Sequence, residues 1–354
     1  MSRRDIYYWK CDRPSAFHGT GNRAASDPAI EPQLEEELQR HFGVVPRDLR
    51  AFSSQGDHLT WSAEVDGVPV FIRVENGPEK DRHLTVESAV LERVRATGVQ
   101  TPRVLGCDAS HSRVPFAWQA LERIAAPDLN HWFKSGKLDP AGIPFAIGAA
   151  IARWQHIELD GFGTLDETLR GQRLSYPDYF SLRLEEHLHF LRSHDFFNDS
   201  KTVLSEIGQH SRLLEVGSGC LVHKDLALWN ILGTPDTIAA FIDFDDAISG
   251  DPVDDLSLLA CFHDAAFVGQ ALAGYRSLRP VPAEFRRRFW LHLLRNMIVK
   301  AVIRVGAGYF DQSDRFFLIG TGCTGADLRR MTLERIQIAL KGLREDSELS
   351  ILPP

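Results

Sequence analysis

His223-Lys224-Asp225-Leu226-Ala227-Leu228-Trp229-Asn230 follows the run Gly219-Cys220-Leu221-Val222 and precedes a second carboxylate in Ile242-Asp243-Phe244. The run before His223 is short, apolar and opened by glycine, so it reads as a buried strand that delivers a loop at its end. Ile231-Leu232 and Ile238-Ala239-Ala240-Phe241-Ile242 are two further apolar stretches. Gly233-Thr234-Pro235-Asp236 between them is turn chemistry, and the pair predicts a hairpin. That hairpin brings Asn230 at one end close to Asp243 at the other, in front of the loop that holds Asp225.

The residue types suit one chemistry. A carboxylate that can accept a hydroxyl proton, an amide a few residues on and a second carboxylate on the next strand are what phosphoryl transfer from a metal nucleotide requires. An amide oxygen and a carboxylate converging on one point are hard ligands. They suit Mg²⁺, which takes its remaining ligands from water and the nucleotide phosphates.

At these residues the chain resembles the aminoglycoside phosphotransferase and choline kinase family, relatives of the protein kinases. The family carries a His-x-Asp-x-x-x-x-Asn loop, then Ile-Asp-Trp/Phe, then Gly-Asp-Pro-x-x-Asp-Leu. The third element here is Gly250-Asp251-Pro252-Val253-Asp254-Asp255-Leu256. The resemblance implies an α+β, two-lobe, protein-kinase-like fold: a small antiparallel-sheet N-lobe with one main helix and a larger, mostly helical C-lobe. It implies Asp225 as the catalytic base, Asn230 and Asp243 as magnesium ligands, and His223 and Asp255 as residues that order the catalytic loop. Asp251 and Asp254 also read as helix N-terminal acids favoured by the dipole. Asp160-Gly161-Phe162-Gly163 looks like a metal-binding Asp-Phe-Gly, but it precedes the catalytic loop and reads as a turn.

Upstream, Leu59-Thr60-Trp61-Ser62-Ala63-Glu64-Val65 alternates at period two, Asp66-Gly67 is a hairpin turn, and Val68 to Val74 alternates again. Gly56, just before the first of these strands, is placed by the resemblance in the phosphate-covering turn, although Ser53 to His58 is neither a Walker loop nor a Gly-x-Gly-x-x-Gly. Val70-Phe71-Ile72-Arg73 aligns with the strand that carries the phosphate-binding lysine of kinases, and period two puts Phe71 and Arg73 on one face. Arg73 departs from lysine, but a guanidinium can bridge a carboxylate and phosphate oxygens. Its expected partner is Glu87, in the helical stretch Thr85 to Val94. Phe116 to Ile124 then reads as a strand whose end, Glu122 and Ile124, forms the hinge against the adenine.

The 354 residues exceed one ordinary domain and divide into an N-terminal extension, 1–30, a nucleotide-binding N-lobe, 31–125, and a catalytic and substrate-binding C-lobe, 126–354. The extension holds Tyr7, Tyr8, Trp9 and Phe17, an aromatic density unusual for a disordered tail, so it is expected to pack on the body of the protein. Helix-period patterns run over 141–154, 180–191 and 285–305. Hydrophobic content of 44% supports a sizeable core. No stretch approaches the ~18 consecutive apolar residues of a membrane helix and no apolar signal region opens the chain, which predicts a cytoplasmic protein without a membrane partner. Five dispersed cysteines without metal-ligand spacing predict reduced thiols. A formal net charge of −8 argues against a nucleic-acid partner.

The cofactors expected are ATP, with GTP not distinguished, and Mg²⁺. Ala227 stands where Ser/Thr protein kinases carry lysine, and no activation segment lies between Asp243 and Asp251, so the expected partner is a small-molecule hydroxyl acceptor. An aminoglycoside would need an acidic pocket, for which composition offers Glu185, Glu186, Asp254 and Asp264. Against this, Leu228 and Trp229 are bulkier than the family's usual loop residues and Lys224 replaces a frequent glycine. Trp229 in particular suits an acceptor with a sugar or aromatic face. Two alternatives share the fold: nucleotidyl transfer, and a catalytically silent nucleotide-binding protein.

Overall fold

The computed structural model describes residues 2–12, 30–52, 58–75, 81–312 and 324–353. The chain opens with a short helix, α1 (Trp9–Asp12), and continues in α2 (Ile30–Phe42). Five strands, β1 (Arg47–Ala51), β2 (Leu59–Val65), β3 (Val68–Glu75), β4 (Val104–Asp108) and β5 (Ala117–Glu122), form an antiparallel sheet of order β1-β2-β3-β5-β4. The alternation read in 59–65 is the burial alternation of β2, whose inward side chains include Trp61 and Ala63. Asp66 and Gly67 turn the β2–β3 hairpin with positive φ at both residues, as a two-residue loop matching strand twist requires. The N-lobe helix α3 (His83–Ala96) follows β3. Its Val86, Val90, Leu91 and Val94 belong to the same apolar core as the C-terminal part, so this helix ties the two together. A separate core, with Leu34, Leu38, Trp61, Ile72 and Trp118, fills the space between α2 and the sheet.

The C-terminal part is largely helical: α4 (Leu129–Lys134), α5 (Gly142–Trp154), α6 (Tyr176–Phe180), α7 (Leu184–Ser193), α8 (Ser200–Gln209), α9 (Val253–Leu259), α10 (Ala265–Arg276), α11 (Phe285–Gly306) and α12 (Gly325–Glu345). The architecture is therefore the α+β one expected, with one addition. A second antiparallel sheet of very short strands, in the order β6 (Glu158–Leu159), β9 (Gly219–Val222), β12 (Ile248–Gly250), β7 (Phe162–Leu165) and β8 (Gly171–Arg173), lies among the helices. β10 (Ile231–Gly233) and β11 (Ile238–Phe241) make the expected hairpin. Gly161, at φ +65°, turns the chain from β6 into β7, the turn expected at Asp160-Gly161-Phe162-Gly163. Of the three helix-period stretches, 141–154 and 285–305 match α5 and α11, but 180–191 is helical as α7 only from Leu184, with Phe180 the last residue of α6. Arg183 takes left-handed backbone at φ +56°, which an α-helix does not accommodate, and the chain breaks there between α6 and α7.

Buried charge is concentrated where β9 and β12 meet α9 and α11. Lys224 is 2% exposed and donates to Asp254 Oδ2 at 2.7 Å, to Asn296 Oδ1 at 3.0 Å and to the Tyr7 hydroxyl at 3.0 Å. Asp251 is fully buried between Arg288 and His292, 2.6 and 2.9 Å away. Burial raises its carboxyl, but the His292 and Arg288 charges outweigh that and pull it down to about 2. Stripping one partner from a buried pair leaves an uncompensated charge. Lys224→Met should lower unfolding stability by about 3–5 kcal/mol in a denaturant titration. Adding Asp254→Leu should restore much of the loss.

Candidate active site

Asp225 hangs from a loop whose shape is set behind it. Asp255, fully buried on α9, accepts the His223 amide at Oδ2 (3.1 Å) and the Lys224 amide at Oδ1 (3.2 Å), while Trp154 Nε1 donates to Oδ2 at 3.0 Å. His223 bridges in the other direction. Its Nε2 lies 3.0 Å from the Ile242 carbonyl and its Nδ1 accepts the Asp225 amide at 3.3 Å, so the proton sits on Nε2. Lys224 has φ +69°, the left-handed region that glycine adopts freely. The departure from the frequent glycine therefore carries a backbone cost, and the Lys224 side chain offsets it with its three buried hydrogen bonds.

The expected constellation is assembled. Asn230 Nδ2 donates to the Asp225 carbonyl (2.8 Å) and to Asp225 Oδ2 (3.2 Å), leaving its amide oxygen for another partner. Asp243, also at positive φ, is joined by Arg73 Nη1 at 3.1 Å on Oδ1. Arg73 is 7% exposed, forms an ion pair with Glu87 of α3 and donates from Nε to Gln119 on β5 at 3.1 Å. One guanidinium thus links β3, α3, β5 and the Asp243 turn. These groups border a cleft of about 750 Å³ between the N-terminal sheet and the C-terminal helices. Glu122 and Ile124 line it at the hinge end, where Glu122 also pairs with Arg103 (3.2 Å). Gly56 lies outside the described residues.

Three contributors were not legible in the sequence. Lys300 of α11 donates to Asp225 Oδ1 at 2.9 Å. Lys10, from the N-terminal extension, donates to Asp225 Oδ2 at 2.8 Å and stands 3.8 Å from Asp243 and 3.7 Å from Asp246. Asp246, 8% exposed, is the third: its Oδ2 accepts no hydrogen bond. Burial alone would raise the Asp225 carboxyl, but the ammonium groups of Lys10 and Lys300 hold it well below the usual range. Burial and the neighbouring Asp245 push Asp246 well above it. Carboxylates crowded in this way, with the Asn230 amide oxygen beside them, form an all-oxygen donor set that fits a hard divalent cation.

Residues 2–12 of the extension pack into the body at the site, as the aromatic content there suggested, while Phe17 lies outside the described residues. Asp12 accepts the Tyr7 and Tyr8 amides at 2.7 and 3.1 Å and is held by His187 (2.7 Å) and Arg183 (2.8 Å). Tyr7 stacks on Tyr179 at 4.8 Å, and the Tyr8 hydroxyl lies 3.3 Å from Lys300 Nζ. The acidic pocket sought for a polycation does not form from the acids named for it. Glu185 and Glu186 are exposed on α7, outside the cleft lining, with Glu186 paired to Arg183. Asp254 is buried against Lys224, and Asp264 caps α10 through the Phe267 amide at 2.9 Å. Composition marked these acids, but helix caps and ion pairs use them. Trp229 does line the cleft, packed edge-on against Phe262 at 5.0 Å.

With this geometry in place, comparison with known proteins decides the family. Residues 48–290 match the phosphotransferase enzyme family. The chain belongs to that family. No curated protein matches it. Among solved structures it is similar to aminoglycoside phosphotransferase APH(4)-Ia (19% identity, TM-score 0.63, covering 88% of this chain and 98% of the other). A putative fructosamine-3-kinase from Thermobifida fusca YX-ER1 is similar at 19% identity and TM-score 0.60, over 85% and 98% of the two chains. Macrolide 2'-phosphotransferase MphH from Brachybacterium faecium aligns at 15% identity and TM-score 0.53, over 91% and 100%. At such identities the likeness is one of fold. Among the described residues no helix is long and apolar enough to cross a membrane.

The Arg73 junction yields a test within this phosphotransferase. Arg73→Ala and Glu87→Ala should each raise the Michaelis constant for ATP, and the double variant should cost less than the sum, because either change already breaks the pair. Additive losses in steady-state kinetics would show that the pair does not act as a unit.

Proposed function

We propose that this phosphotransferase moves the γ-phosphate of ATP to a hydroxyl of a small molecule, with Asp225 as the base. The observation that carries the reading is the convergence of Asp225, Asn230 and Asp243 within one cleft, joined through Arg73 to the N-terminal sheet. One similar solved structure, of a thermostable mutant of aminoglycoside phosphotransferase APH(4)-Ia, is a ternary complex with AMP-PNP and hygromycin B, which supports a cleft of this fold taking a nucleotide and a second small molecule together.

The nucleotide's adenine would lie at the backbone of Glu122–Ile124, between the apolar side chains of Leu121, Leu232 and Ile242, which line that end of the cleft. Arg73 meets the phosphates as a fixed charge held by Glu87. Asn230, through its amide oxygen, and Asp243 would hold Mg²⁺, whose charge offsets that developing on the phosphoryl oxygens. Asp225 receives the acceptor hydroxyl's proton as the oxygen attacks. Its depressed proton affinity keeps it ionised, and Lys300 and Asn230 fix its two oxygens. Lys10 shares the Asp225 and Asp243 carboxylates, so the extension must adjust when a cation and phosphates enter.

Incubation with ATP, Mg²⁺ and a panel of hydroxylated metabolites and antibiotics, read by mass shift and by released nucleotide, tests the assignment. A gain of one phosphoryl group with ADP is expected. Release of pyrophosphate would mean nucleotidyl transfer, and no product with any acceptor would fit a silent binding protein. Asp225→Asn should lower turnover about 10²–10⁴-fold with nucleotide affinity nearly intact, and Asp243→Ala should remove the Mg²⁺-dependent tightening of ATP. Wild-type turnover in the Asp225 variant refutes its role.

Trp229 offers the acceptor a flat apolar wall beside Asp225. Trp229→Ala should weaken acceptor binding and spare the intrinsic ATPase rate. A fall in melting temperature and ATPase together, with acceptor affinity unchanged, would instead make it a loop lock.

A further inference from the structure

Beyond Asp225 the cleft ends on the C-terminal turns of α11, and the charge there has the wrong sign for a cationic acceptor. Arg304 lines this end and is 1% exposed. Its Nη1 donates to Thr332 Oγ1 of α12 at 2.7 Å, while its Nη2 is buried and has no hydrogen-bond partner. Among the described residues no carboxylate forms an ion pair with it. Burial pulls the guanidinium down to about 10, so it remains a cation at neutral pH. Lys300, four residues earlier, also lines the cleft and is committed to Asp225. Residues spaced by four share a helix face, so the two cations stand one above the other, their Cα atoms about 6 Å apart along the axis. Phe262 lines the same end, its ring 5.5 Å from Lys300 Nζ and 6.0 Å from the Arg304 guanidinium carbon, with Trp229 packed against it.

Burying a charge without a partner is costly, and a buried arginine with an idle N–H group at the end of a cleft is suited to an oxyanion. We propose that the acceptor carries such an oxyanion, a carboxylate or a phosphate, taken by Arg304 Nη2 at the far end of the cleft, while its hydroxyl lies at Asp225. The body of the acceptor between these two groups rests on Phe262 and Trp229. This rests on the phosphotransfer reading above and narrows its substrate class to compact hydroxylated anions. At this end of the cleft a polycationic antibiotic would meet Lys300 and Arg304, and the same charge disfavours it there.

Two measurements on the full-length protein separate this inference from the reading beneath it. In the first, the protein is saturated with AMP-PNP and Mg²⁺, so that the nucleotide phosphates occupy their own site, and inorganic phosphate and acetate are titrated calorimetrically. Wild type should bind at least one of them, and Arg304→Gln should weaken that binding at least ten-fold, with Arg304→Lys recovering part of it. Comparing the two anions distinguishes a phosphate site from a carboxylate site. Equal anion affinity in wild type and Arg304→Gln, or no anion binding to wild type, overturns the proposal whether or not any acceptor turns over. Should Arg304→Gln fail to fold, Arg304→Lys against wild type decides it, because the lysine keeps the charge and loses the planar fork.

In the second, 4-(hydroxymethyl)benzoate is compared with its methyl ester, and glycerol 3-phosphate with glycerol, by ADP release. The anionic member of a pair should show kcat/KM at least ten-fold higher, and Arg304→Gln should close the gap through KM. Preference for the neutral members overturns the proposal. No ADP from any acceptor would count against the phosphotransfer reading and leave the calorimetric result to decide the anion site.

Discussion

The Asp255 carboxylate is the constraint on which the site depends. By accepting the amides of His223 and Lys224 it fixes two successive peptide planes just before Asp225, and Trp154 Nε1 holds it from the opposite side. A carboxylate in a fully buried position is costly unless its oxygens are satisfied, so here desolvation and loop geometry stabilise each other. The Lys224 backbone can then take its left-handed turn, because the side chain enters a pocket formed by Asp254, Asn296 and Tyr7. His223 transmits the same order forward to the Ile242 carbonyl, one residue before Asp243. Asp225 and Asp243 are thereby positioned by one hydrogen-bonded unit spanning β9, α9 and the β10–β11 hairpin.

Around this unit the cleft has two electrostatic ends. Toward the N-terminal sheet, Asp243, Asp245 and Asp246 crowd a small volume. Burial and the Asp245 charge raise the proton affinity of Asp243 and Asp246, while Asp245, despite its burial, is held low by His58 and Lys10, a crowding that suits a divalent cation and its phosphates. Toward α11 the charge reverses, through Lys300 and Arg304. Asp225 sits at the junction, kept ionised by cations from two remote parts of the chain. A base of very low proton affinity is a weak base in its resting geometry. Under the proposed function its task would be to orient the hydroxyl and receive the proton late, as the acceptor oxygen gains phosphoryl character.

Residues 2–12 of the N-terminal extension contribute Tyr8 and Lys10 to the wall of the cleft. Asp12, His187, Arg183 and Arg295 pin α1 against α7 and α11, and this places Tyr8 and Lys10 at the cleft. Cys11 is part of that pin, 3.1 Å from His187 Nε2, and together with Asp12 and His187 it could form a three-ligand metal set. Arg295 donates to the other imidazole nitrogen, which accounts for the cluster as a hydrogen-bonded clasp.

The sequence by itself determined what is local. The strand–loop–hairpin order around Asp225, the turn at Asp66–Gly67 and the long helix near 285–305 follow from periodicity and turn chemistry, because those forces act between residues close in the chain. The Arg73–Glu87 pair was legible for a similar reason: the strand face and the helix that follows restrict what Arg73 can meet. Left to the tertiary structure were Lys10, Lys300 and Arg304, each an ordinary basic residue in its own segment. They gain meaning only because residues from positions 10, 225 and 300 are packed into one cleft. The break at Arg183 was hidden too, since an apolar 3.6-residue period does not record a single reversed φ angle. Acidic residues such as Glu185 and Asp264 were equally ambiguous, because a carboxylate reads the same in sequence whether it caps a helix, faces solvent or lines a pocket. Long-range packing, with its desolvation and its pairing of distant charges, makes that choice.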